Sequence, residues 1–181
     1  MGFMTDFEED PRLHPSSVPP AELLVGCDTQ RTRRGGPGGQ HRNKTETAIV
    51  ITHRETGVSG QASERRSQHD NREVALFRLR LNLAIAVRVE KDTEDEARLP
   101  SELWRGRVLS GKLKVNVNHE DFPALMAEAL DWVFAFELNL ASAGNKLGLS
   151  TSQLVKFLKL SPEAWQNVQQ KRHDCGLPRL K

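Results

Sequence analysis

AIVITHRETGVSGQAS, residues 48–63, reads as a β-hairpin. β-Branched residues cluster from Ala48 to Thr52, which suits a pleated, half-buried strand. HRETG, residues 53–57, supplies the reversal, with Gly57 available for the positive φ that a tight turn demands. Val58 to Ser63 is the return strand. Upstream, ELLVGCDTQ (residues 22–30) is short and apolar at its start, so a further strand is expected there. Downstream, Ser67 and Asp70 form a capping pair for a helix running to about Glu90, in which Leu76, Leu79, Leu83 and Ala86 recur at helical spacing. A helix with that stripe covers one face of a small sheet. The expected class is therefore α+β, with a mixed sheet packed by a helix.

Further out the pattern changes. Residues 1–20 are expected to be a flexible leader, because Pro11, Pro15, Pro19 and Pro20 interrupt helices and apolar residues are few. KDTEDEARLPSE, residues 91–102, is charged and contains Pro100, which predicts a linker. Residues 103–181 are expected to form an all-helical module. Asp121 and Pro123 open a helix with Leu125, Ala129, Trp132, Val133, Phe136 and Leu140 as its apolar stripe. Helices over 151–160 and 162–174 follow, the second capped by Ser161 and stopped by Gly176. Residues 141–160, ASAGNKLGLSTSQLVKFLKL, have the pattern of a helix-turn-helix. Gln153, Lys156 and Lys159 then either contact nucleic acid or face solvent on a plain helical bundle.

Composition sets outer limits. The 181 residues are 37% hydrophobic and 28% charged, which excludes a disordered or fibrous chain and allows one or two small domains. A net charge of +2 does not by itself mark a nucleic-acid binder, so local charge must be consulted. Cys27 and Cys175 lack metal-site spacing and are expected to be reduced thiols in a cytoplasmic protein; no metal or cofactor is expected. The acidic, Pro-rich start lacks the features of a signal peptide, and no apolar run approaches the roughly 20 residues that span a membrane. Trp104, Trp132 and Trp165 are expected to pack in cores.

The chemistry concentrates in RTRRGGPGGQHRNK, residues 31–44, where Arg31, Arg33, Arg34, Arg42 and Lys44 surround four glycines with no acidic residue among them. Glycine admits unusual φ values and removes the Cβ atoms that would block close approach to a substrate. Arginine and lysine neutralise phosphates. Three motifs, GGPGGQHRNK, AIVITHRETGV and ERRSQHDNRE, stand in one order and spacing over residues 21–90. Together they resemble the catalytic domain of class-I peptide chain release factors.

That resemblance implies a hydrolytic tip at Gly38, Gly39 and Gln40, acting on the peptidyl-tRNA ester in the peptidyl transferase centre of the large ribosomal subunit. Water is the nucleophile, and a backbone N–H in the glycine-rich turn stabilises the developing oxyanion. Arg31, Arg33, Arg34, His41, Arg42, Asn43 and Lys44 are expected to contact RNA, as are Arg65, Arg66, Gln68, His69 and Arg72. The last group also reads as an ordinary polar helix start. Pro37 and Arg42 depart from the residues common in the family, without removing a group that the chemistry needs. The implied partners are large-subunit rRNA, P-site peptidyl-tRNA and a glutamine methyltransferase modifying Gln40; no membrane partner is implied. Residues 1–20 leave no room for a stop-codon-reading domain, so codon-independent rescue of stalled ribosomes is expected. The alternative is a ribosome- or RNA-binding factor that keeps the fold and does not hydrolyse.

Overall fold

The computed structural model describes residues 13–32, 48–95 and 99–180. After a single 3-10 turn at Pro15–Ser17, helix α1 (Pro20–Val25) leads into strands β1 (Cys27–Thr32), β2 (Ala48–His53) and β3 (Ser59–Ala62), followed by the long helix α2 (Gln68–Ala86). Next come α3 (Glu102–Arg107), a short hairpin of β4 (Val108–Leu109) and β5 (Lys112–Leu113), and helices α4 (Phe122–Ala135), α5 (Leu140–Lys146), α6 (Thr151–Leu158) and α7 (Pro162–Asp174). The α+β class holds. The three-stranded sheet runs β1-β2-β3 and is antiparallel throughout rather than mixed, since each strand returns directly along its predecessor.

Helix α2 organises the molecule because both of its flanks are apolar. Ala75, Leu79 and Leu83 are wholly buried against Ile49, Ile51 and Ala62 of the sheet. The approach is closest at Gly60, where a Cβ atom would stand 2.2 Å from the Ala75 carbonyl oxygen and 2.3 Å from the Leu79 nitrogen. On the other flank Ala84, with Phe77, Leu81 and Ile85 beside it, joins a larger core built from α3 to α7. Trp104 and Trp132 are buried there, with Trp104 Nε1 donating to the Leu147 carbonyl at 2.9 Å, and Trp165 packs at the edge.

Several segments differ from expectation. Residues 22–25, expected as the start of a strand, belong to α1, because Pro20 suits the first helical turn and Gly26 closes the last. Residues 13–20 are packed rather than flexible: His14 and Ser16 are buried, and the Arg80 side chain donates to the Ser16 carbonyl at 3.0 Å and the Glu120 carbonyl at 2.9 Å. The C-terminal half is not wholly helical. Ser110 and Gly111, with φ of 50° and 71°, form the tight reversal between β4 and β5. Helix α2 begins at its Ser67 cap, as expected, but ends at Ala86. No helix among the described residues is long and apolar enough to cross a membrane.

Candidate functional site

The strand register fixes the base of the glycine-rich loop. Thr32 pairs with Ala48, so the two ends of segment 33–47 leave the sheet side by side. Gly38, Gly39, Gln40, Arg33, Arg34, His41, Arg42, Asn43 and Lys44 lie in that segment, outside the described residues. Arg31 is described, exposed near the end of β1 and paired in register with Ile49.

Antiparallel pairing brings the second basic segment to the same end. β3 finishes at Ala62, opposite Ile49, one residue from the Ala48 anchor. The chain therefore enters residues 63–72 beside the loop base, and Arg65, Arg66, Gln68, His69 and Arg72 are all exposed there. Buried Asn71 shapes this segment: its Oδ1 accepts from the Arg65 N–H at 2.9 Å and its Nδ2 donates to the Arg65 carbonyl at 3.0 Å. Ser67 accepts from the Asp70 N–H, capping α2 as the sequence predicts. His69 stands 3.8 Å from carboxylate oxygens of both Asp70 and Glu73.

Two arginines absent from the sequence-based assignment brace this scaffold. Arg78 reaches back from α2 to the Gln61 carbonyl at 2.8 Å and to Glu64 at 2.6 Å, fastening the β3–α2 connection. Glu64 is held below the usual carboxylate range first by the backbone N–H groups it accepts from and then by Arg78. At the far end of the sheet, Arg54 donates to the Cys27 and Val25 carbonyls and to Asp28, tying the hairpin turn to the start of β1. Sequence spacing carries no signal for either brace, because each joins residues brought together only by the sheet.

Buried Cys27 donates to the Leu23 carbonyl, and burial pushes its thiol pKa up, so it is a structural thiol rather than a nucleophile. Cys175 is a free, exposed thiol. Among the described residues, no group of three or more His, Cys, Asp or Glu side chains is arranged to hold a metal ion.

A small antiparallel sheet, braced on one helix, thus brings both ends of the glycine-rich segment to the end of the sheet where the exposed arginine cluster begins. The profile of the RF-1 domain matches residues 19–121, more than half of the chain, and the chain belongs to that family. It is 38% identical over 107 residues to peptide chain release factor 1 of Xylella fastidiosa (strain 9a5c), an alignment covering 59% of this chain and 27% of that protein. The chain thus spans about a quarter of the length of that relative. No solved structure matches the chain significantly.

Proposed function

We propose that this chain hydrolyses the ester linking a nascent peptide to P-site tRNA, in the peptidyl transferase centre of the large ribosomal subunit, with Gly38, Gly39 and Gln40 at the reacting atoms. The observation that carries this reading is the convergence at one end of the sheet: the Thr32–Ala48 pair gathers both ends of the glycine-rich segment beside exposed Arg65 and Arg66. Membership of the RF-1 domain family supports it. Arg31, Arg33, Arg34, His41, Arg42, Asn43 and Lys44, together with Arg65, Arg66, Gln68, His69 and Arg72, would bear on RNA phosphates and bases during docking.

In the reaction, water attacks the ester carbonyl carbon, and the negative charge that develops on the carbonyl oxygen is met by the Gln40 backbone N–H. The ester bond then breaks, the tRNA hydroxyl leaves with a proton, and the peptide departs as its carboxylic acid. The Gln40 side chain restricts the nucleophile to water. Gln40 is also the proposed target of a glutamine methyltransferase. Release is proposed to be independent of a stop codon, with the helical module beyond the family match taking part in the choice of ribosome.

Peptide release from stalled and from stop-programmed ribosomes tests this reading. Gly39→Ala and Gln40→Pro, the latter deleting the N–H, are expected to slow release by about a hundredfold or more. Gln40→Ala keeps the amide and is expected to lose less, while admitting hydroxylamine as a competing nucleophile. Equal rates for wild type and all variants, or no release by wild type, would sink the enzyme reading. Release confined to stop-programmed ribosomes would overturn the rescue reading alone.

A further inference from the structure

Helices α5 and α6 are joined by a tight turn. Gly148 has a φ of 69°, and a Cβ atom on buried Gly144 would lie 2.9 Å from the Leu149 carbonyl oxygen, so small residues set how closely the helices meet. Ser150 caps α6. Leu154, Phe157 and Leu158 are buried, which turns Ser152, Lys156 and Lys159 outward on one helical face. The arrangement is that of a helix-turn-helix, the second helix presenting its polar side.

The hairpin completes the face. β5 packs beside α6, and Val108 of β4 lies against the turn at Gly148. With Leu113 turned toward the core, strand alternation sends Lys112 and Lys114 to solvent, and both are exposed. Residues 103–119 hold four basic residues and no acidic one; residues 138–162 hold three lysines and no acidic one. Two separate acid-free segments are thus folded against each other. Among the described residues, neither Lys112, Lys114 nor Lys156 has an acidic partner, while Lys159 Nζ lies 5.0 Å from the Trp165 ring centroid. Leu180, fixed by paired hydrogen bonds to Gln169, walls a groove along α6, and Arg179, its neighbour in the chain, is exposed.

We propose that this face, α6 flanked by the β4–β5 hairpin, binds the phosphodiester backbone of double-helical RNA at a site separate from the glycine-rich loop. Unpaired lysines crowded on one surface repel each other, and an array of phosphates relieves that repulsion while releasing counterions. The choice of RNA rests on the ribosomal function proposed above; the charge complementarity does not.

The test uses the full chain, a fluorescein-labelled RNA stem-loop, and a DNA duplex of matching sequence. The variant Lys112→Gln, Lys114→Gln, Lys156→Gln and Lys159→Gln, altered only at exposed positions, is expected to bind the stem-loop about tenfold to a hundredfold more weakly than wild type. Its slope of log affinity against log salt is expected to be shallower by about 2 to 3. The corresponding Lys→Arg variant should retain wild-type binding. Wild-type affinity and salt slope in the Gln variant would overturn the proposal, as would tighter binding of the DNA duplex than of RNA. Peptide release by wild type, measured in parallel, separates the two readings: a binding defect without any wild-type hydrolysis removes the enzyme and leaves the RNA face, and the reverse result removes only the face.

Discussion

The two flanks of α2 differ in what they bury. Toward the sheet, eight described residues form the core, and the sheet comes closest to α2 at Gly60, which has no side chain. Toward the helices, twenty described residues do so, including Trp104, Trp132 and Phe157. Hydrophobic stabilisation scales with the apolar area removed from water, so most of it lies on the helical side. The flank that carries both ends of the glycine-rich segment is the thinner one. The small sheet is backed, through α2, by that larger core.

Substitutions that shorten matched leucines break the comparison most forcefully. Leu130→Ala, in the dense helical core, is expected to destabilise the chain by about 3 to 5 kcal/mol, and Leu79→Ala, under the small sheet, by about 2 to 3. Denaturant titration measures both. Equal losses would mean that the flanks are equally packed.

Ionisation sharpens the contrast, because two shifted groups lie where the end of α2 meets the helical side. His14 Nδ1 accepts from the Ser16 N–H and Nε2 donates to the Val87 carbonyl, and burial lowers its pKa to about 4. It folds neutral, so its contribution is present above its unfolded value of 6.5 and is lost as pH falls toward 4. Asp131 behaves oppositely. Burial raises its pKa to about 6, against the pull of the Val89 N–H, Lys91 and Arg88, so ionising it costs stability as pH rises from 3.8 to 6. Each group alone is worth about 3 kcal/mol across its window, and the two nearly cancel in the range they share. Thermal unfolding from pH 4 to 6.5 is expected to show stability rising with pH in Asp131→Asn and falling with pH in His14→Gln. Parallel profiles for both variants and wild type would remove the idea.

A smaller effect is expected at Gly60. An added methyl there meets the backbone of α2, not a flexible side chain, and Gly60→Ala should cost about 1 to 3 kcal/mol as β3 and α2 separate. Hydrogen exchange should then quicken in β2 and β3 more than in α4. The smallest loss, about 1 kcal/mol or less, is expected for Arg54→Ala, whose ion pair with Asp28 is largely exposed.

Local signals in the sequence correspond to local structure. Clustered β-branched residues and Gly57 mark the β2–β3 hairpin, Ser67 the start of α2, and Ser161 with Gly176 the limits of α7. What escaped them depends on distant partners or on runs too short to classify. Leu23 and Leu24 suit a strand as well as one turn of helix, and only Pro20 and Gly26 decide. Leader residue His14 reads as polar, yet Val87 lies 73 positions away and supplies its hydrogen bond. The β4–β5 hairpin has two-residue strands, below any alternation pattern, leaving Ser110-Gly111 as its sole mark. The glycine-rich segment stands out by composition, whereas Arg78, Asn71 and Arg54, which shape and brace the sheet and its connections, are visible only once the sheet exists.

The docking of residues 13–20 has a consequence for the order in which the molecule can be completed during its own synthesis. Ser16 is held by Arg80, and the same arginine holds the Glu120 carbonyl at the threshold of α4. A ribosome makes the chain from its N-terminus, so this segment emerges early and waits for more than a hundred further residues before its seat is whole. The sheet and α2 can associate in the meantime. The earliest described stretch of the chain thus gains the last of its partners only once the start of α4 has been made.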